Sequence, residues 1–210
     1  MTGTIALQGG GPFTSNDELD RRLLEAVVAT RVVVLPTADA FEQPADLVAS
    51  AVIWGERLGV EVEALMVLQR HDAEDPGAAE VVREARAVYL VGDSALHLRS
   101  TIKDTPLFHA LSEMLGEGAL VTGVGSSATA LCDPMLDQRG GAFTLGLGLL
   151  RGVTVVPMAE TRSPERRART LSLADTPVVE LPTGSALVKR ADGWELVGAA
   201  EVVHGELPPS

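Results

Sequence analysis

Apolar residues come in short unbroken runs, separated by stretches in which they recur at helical spacing. Ile5 to Gln8 is the first run, closed by Gly9-Gly10-Gly11. Ser15 and Glu18 then have the spacing of a capping box, and Leu19, Leu23, Leu24 and Val27 share one face, which predicts a helix to Val28. Arg31 to Leu35 predicts a β-branched strand stopped by Pro36, and Pro44 to Leu58 a helix with Leu47, Ala51 and Leu58 inward. Val60 to Val67 reads as a strand, Asp75-Pro76 opens a helix to Arg86, and Ala87 to Val91 is a strand ending at Gly92-Asp93-Ser94. Helices around Leu96 to Ile102 and Pro106 to Leu115 precede a buried strand at Gly118 to Thr122 and a helix from Ser126 to Met135.

Near-continuous apolar strands alternating with helices predict an α/β fold. It is a three-layer αβα sandwich around a mostly parallel, doubly wound sheet. Ligands bind such sheets beyond the C-terminal strand ends, where Gly9–Gly11, Pro36–Asp39, Gly92–Ser94 and Gly123–Ser127 should converge. The last third changes character. Val153 to Pro157 is a strand, and Ser163-Pro164-Glu165 opens a short basic helix. Val178–Leu181, Ser185–Lys189, Trp194–Val197 and Glu201–Val203 are short strands, with a hairpin signal at Asp192-Gly193; they predict a small antiparallel C-terminal extension. Residues 1–207 read as one domain and 208–210 as a frayed tail.

The Gly123-Val124-Gly125-Ser126-Ser127-Ala128 segment is a sharp strand-to-helix corner of the kind that holds a serine hydrolase nucleophile at the mouth of a sheet. Gly125 relieves the backbone strain of that corner and supplies no attacking atom. A net charge of −12 disfavours nucleic acid as a partner, and the local basic run Arg162, Arg166, Arg167 and Arg169 reads as a solvated helix face. The one cysteine, Cys132, excludes an internal disulfide and reads as a buried inert thiol. The N-terminus lacks a signal-peptide pattern and no apolar run reaches membrane-span length, so a cytoplasmic protein without membrane contact is expected. No His/Cys/Asp/Glu spacing predicts a metal site, and the glycines at 9–11 lack a nucleotide-binding fingerprint, so no cofactor is expected.

The order of these pieces resembles the cyanophycinase and dipeptidase E family of serine peptidases, α/β proteins related in fold to class I glutamine amidotransferases. Val33-Val34-Leu35-Pro36-Thr37-Ala38, Asp104-Thr105-Pro106-Leu107 and Leu145-Gly146-Leu147-Gly148-Leu149-Leu150 carry the likeness, and the corner with its Asp133-Pro134-Met135 flank is the most specific match. The resemblance implies that the family's nucleophile position reads Gly125 and its histidine position Met158. Its acid position reads Thr183, or Glu180 with a slipped register. Arg162 and Arg167 match two family arginines; Gly92, Asp93 and Ser94 stand where the family has its oxyanion loop. The implied protein is a catalytically degenerate relative that binds a small molecule, peptide or protein partner; whether it is an enzyme stays open, and if active it is a serine peptidase-like hydrolase. Its ligand site comprises Gly92, Asp93, Ser94, Gly125, Ser126 and Ser127, and a homodimer is a compatible assembly. The alternative is an active hydrolase or amidotransferase-like enzyme using Ser126 or Ser127 with His97, which sits one turn into the helix after Ser94. Simple helix capping by Ser126 competes with both readings. His71, His109 and His204 converge on nothing, and Asp39 and Asp133 read as turn residues.

Overall fold

A computed structural model describes residues 2–209. In chain order its elements are β1 (Thr4–Gln8), α1 (Asp17–Ala26), β2 (Arg31–Leu35), α2 (Pro44–Leu58), β3 (Glu61–Ala64), α3 (Arg70–Ala73), α4 (Pro76–Arg83) and β4 (Ala87–Leu90). There follow α5 (Ala95–Ile102), α6 (Pro106–Gly116), β5 (Leu120–Val124), α7 (Ser126–Leu131), β6 (Cys132–Asp133), β7 (Met135–Leu136), β8 (Phe143–Thr144) and β9 (Leu150–Arg151). The last third holds β10 (Thr154–Pro157), α8 (Pro164–Ser172), β11 (Val178–Leu181), β12 (Ala186–Arg190), β13 (Gly193–Val197) and β14 (Glu201–His204).

Seven strands form the main sheet in the order β13-β12-β1-β5-β4-β2-β3. The run from β1 to β3 is parallel throughout, whereas β12 and β13 add antiparallel beside β1. Side chains on a strand alternate between faces, so apolar runs feed two layers at once. Ile5, Leu7, Val33, Leu35, Val88 and Leu90 enter the core shared with α4, α5, α6 and α7. Ala6, Val32, Val34, Ala87 and Tyr89 enter the opposite core, under α1 and α2. That double-sided burial is why the central strands β1, β2, β4 and β5 are mostly apolar.

Several boundaries differ from the sequence reading. The capping box at Ser15 and Glu18 does not form: Asn16 is the N-cap of α1, without a side-chain cap bond. Its amide instead donates to the Gln8 Oε1 at 3.0 Å. Trp54, fully buried on α2, is the deep anchor of that helix, while Leu47 and Leu58 are only partly buried. The corner helix α7 stops at Leu131 rather than Met135, because Cys132 and Asp133 turn extended to pair with β9. The C-terminal strands do not form one antiparallel unit. β12 and β13 complete the main sheet, and β11 lies parallel to β10 and antiparallel to β14 in a separate three-stranded sheet. In the segment read as a frayed tail, the Pro208 carbonyl accepts the Trp194 indole N–H at 2.8 Å; Ser210 lies outside the described residues. Among the described residues no helix is long and apolar enough to cross a membrane.

Candidate functional site

The end of β1 organises the site through its backbone. The Gly125 N–H donates to the Gln8 carbonyl at 3.0 Å, the Met158 N–H to the Gly9 carbonyl at 2.8 Å, and the Gly9 N–H to the Ser185 carbonyl at 2.9 Å. Gly10 then passes between two side chains: a Cβ placed on it would lie 2.9 Å from Met158 Cγ and 3.3 Å from Thr183 Oγ1. The three positions singled out from the sequence, Gly125, Met158 and Thr183, therefore gather around one strand terminus. The loops after β2 and β4 join them. Ser94 N–H donates to the Ala38 carbonyl at 2.8 Å, and Ser127 Oγ to the Gly92 carbonyl at 3.3 Å. A Cβ on Gly92 would stand 2.4 Å from the Asp39 amide nitrogen, so only glycine fits where these two loops touch.

Gly125 has φ 60° and ψ −128° as the N-cap of α7, the strained corner that the sequence predicted. A Cβ on it would meet no atom within 4 Å. The corner thus keeps room for a side chain and has none. Ser126 does not cap the helix; its hydroxyl donates to Gln138 Oε1 at 2.9 Å. Among the described residues neither Ser126 nor Ser127 has His97 as a partner. The His97 Nε2 instead lies 2.8 Å from the Leu68 carbonyl, and its ring packs edge-on against Phe41 at 4.6 Å.

Two cavities flank Gln138. One, of about 310 Å³, is lined by Gln138, Met158, Thr161, Arg162, Ser163 and Arg166. The other, of about 210 Å³, includes Asp93, Ser94, Leu96, Gln138 and Arg139. Arg166, Arg167 and Arg169 of the basic run are exposed on α8, whereas Arg162 precedes that helix. Arg167 pairs with Glu180 at 2.6 Å, and Arg169 donates to the Gly140 carbonyl at 3.0 Å. Arg162 is half-buried, and its Nε and Nη2 are buried without a hydrogen-bond partner. Burial, and then the neighbouring Arg166 charge, lower its pKa. On the other side, burial raises the Asp93 pKa, and the Asp39 and Glu42 charges add to the effect. Thr183 donates its hydroxyl to Glu160 Oε1 at 2.5 Å. Burial pushes the Glu160 carboxyl up, but hydrogen bonds from Thr183 and from its own backbone amide outweigh it and hold the pKa down.

Beneath the site, Asp20 braces Gln8. Its carboxylate accepts from Gln8 Nε2 at 2.6 Å, Tyr89 Oη at 2.9 Å and Trp54 Nε1 at 3.1 Å. Burial nevertheless drives its pKa up to about 6. Cys132 is fully buried and its thiol is pushed up to about 12 by burial, so it is inert, as read from the sequence. Asp133 accepts the Gly146 N–H at 3.3 Å, tightening a loop. Among the described residues no group of His, Cys, Asp or Glu is placed to hold a metal ion. Sequence reasoning missed Gln138 and Glu160: each lies in a short polar segment whose role depends on a partner far away in sequence.

The model of peptidase family S51 matches residues 5–197. The chain belongs to peptidase family S51. The S51 fold extends to solved structures. A peptidase from an acI-B1 actinobacterium superposes with a TM-score of 0.89 at 27% identity, over 100% of this chain and 93% of that one. A protein assigned as a peptidase E from Listeria monocytogenes EGD-e superposes with a TM-score of 0.71 at 16% identity, over 97% of this chain and 100% of that one. No curated protein sequence matches the chain. Family S51 membership accords with the dipeptidase E resemblance read from the corner, the Pro36 motif and the glycine-rich segment at 145–150.

Proposed function

We propose that this S51 chain has lost serine hydrolase chemistry and acts as a binding or regulatory protein, holding an anionic small molecule or peptide in the pocket around Gly125. The observation that carries this reading is a strained corner retained with glycine at its apex. A serine nucleophile needs a base to take its proton and a third group to orient that base. Removing the nucleophile alone costs a factor of roughly 10⁶ in turnover in a well-studied serine protease. Met158 and Thr183 supply neither a base nor an acid. The ligand class follows from Arg162. A guanidinium with two buried, unpartnered nitrogens is costly unless a carboxylate or similar anion completes it.

The test is direct. The purified protein is assayed against β-aspartyl dipeptides, cyanophycin fragments and simple esters, and titrated calorimetrically with a β-aspartyl dipeptide. We expect no turnover, and binding that is lost in Arg162→Gln. Turnover near that of an active peptidase, or fluorophosphonate labelling abolished by Ser126→Ala or Ser127→Ala, would overturn the proposal. So would absence of binding.

A further inference from the structure

Gln138 lines both cavities at the site, the one holding Arg162 and the one holding Asp93. It is fixed there by one bond, from the Ser126 hydroxyl at 2.9 Å. We propose that Gln138 is a gate that sets the size of ligand the pocket admits, with Ser126 as its latch. This rests on the reading of the Gly125 corner as a binding pocket.

The moving part is the side chain, not the loop. The turn between β7 and β8 is closed by the Gly141 N–H on the Asp137 carbonyl at 2.8 Å. From α8, Arg169 holds the Gly140 carbonyl and Thr170 the Gly141 carbonyl, each at 3.0 Å. Gln138 itself hangs from that anchored turn with several free torsions. Its latch joins two neutral groups, the weaker class of hydrogen bond. With the latch closed, a small anion reaches Arg162 and stops at the partition. With the side chain swung aside, the two cavities run together into one cleft. That cleft has the Arg162 guanidinium at one end and the Asp93 carboxyl at the other, a shape suited to an elongated ligand bearing both charges. Ser126 is only 1% exposed, so its hydroxyl has no competing contact with bulk water and serves the latch.

The gate is tested without any ligand. Gly125→Cys places a thiol at the corner, where its Cβ has free space, and the native Cys132 is buried and silent. Alkylation by iodoacetamide, a neutral reagent, reports access. Loss of a neutral hydrogen bond shifts an equilibrium by about three- to tenfold. We therefore expect Gly125→Cys to be alkylated faster by about that factor when combined with Ser126→Ala or with Gln138→Ala. Equal rates in all three backgrounds would overturn the gate. Should Gly125→Cys fail to fold, side-chain amide NMR relaxation of Gln138 in the chain with Gly125 intact decides the matter instead. An ordered amide that becomes mobile in Ser126→Ala supports the latch, and an unchanged order parameter refutes it. A gate that works in a protein that binds no dipeptide would leave the gate standing and the Arg162 reading fallen.

Discussion

Gly125 is the residue at which backbone and chemistry part company. Its φ of 60° is disfavoured for any side chain, yet the space its Cβ would fill is empty. The cost of a substitution there is backbone strain alone, of order 1–3 kcal/mol. Gly125→Ala and Gly125→Ser should therefore lower stability in urea unfolding by similar amounts; an alanine variant as stable as the parent would show that the corner relaxes. Asp20 carries a second residue-scale consequence. Its pKa is about 6 in the fold against an ordinary 3.8, because burial outweighs three donated hydrogen bonds. A raised folded pKa means that the native state binds the proton more tightly. The contribution is fully present below about pH 4 and is lost as pH rises through about 6, a change of roughly 3 kcal/mol at 1.36 kcal/mol per unit. The stability difference between the parent and Asp20→Asn should drift by about that amount across this window, the parent doing relatively better in acid. A constant difference from pH 4 to pH 7 would place the carboxyl in a wetter setting.

At the scale of elements, legibility followed how local the deciding interactions are. The Pro44–Leu58 helix was readable to its ends, since proline at its first turn and glycine after its last are local signals. The Asp75-Pro76 and Ser163-Pro164 starts were readable for the same reason, and both side chains do cap: Asp75 accepts from Gly77 N–H and Ser163 from Arg166 N–H. The start of α1 was not. Asn16 is drawn away from the helix end by Gln8, a residue on another element, and the neighbouring serine and glutamate mimic a box that is never made. The end of α7 was misjudged because Cys132 pairs with Leu150, eighteen positions on, and no local pattern announces that pairing. The parallel β10–β11 pair went unread because short apolar runs do not say which neighbour they take. In the site, Gly125 was legible because the corner is a contiguous motif. Gln138 and Glu160 were not, because their partners, Ser126 and Thr183, lie twelve and twenty-three positions away.

For the whole molecule, the question is whether the site differs from an active one by three side chains or by its surroundings. The triple variant Gly125→Ser, Met158→His, Thr183→Glu restores the residue types that the family resemblance assigns. We expect no turnover of β-aspartyl dipeptides above background. Thr183 already gives its hydroxyl to Glu160, so a glutamate there would face a like charge at hydrogen-bonding distance. Position 158 has φ 50° and ψ 43°, left-handed values that a histidine would have to adopt as well. Catalytic groups must be held to about 0.5 Å, and neither Glu160 beside position 183 nor the left-handed backbone at 158 favours the restored side chains. Brisk turnover in the triple variant would mean that the scaffold is still catalytically organised.

The strand that anchors the pocket also dictates when the pocket can exist. β1 is made first but lies inside the sheet, between β5 and β12, whose partner residues begin at Leu120 and Ala186. During synthesis it must wait for β5 before gaining one neighbour, and for β12 before gaining the other. Until β12 arrives, the Gly9 amide has no Ser185 carbonyl to meet, and β1 remains an open edge on the ribosome. The backbone contact beneath the pocket therefore cannot form before the chain has been made as far as Ser185. A truncated chain that lacks β12 should not hold the β1 terminus in this arrangement.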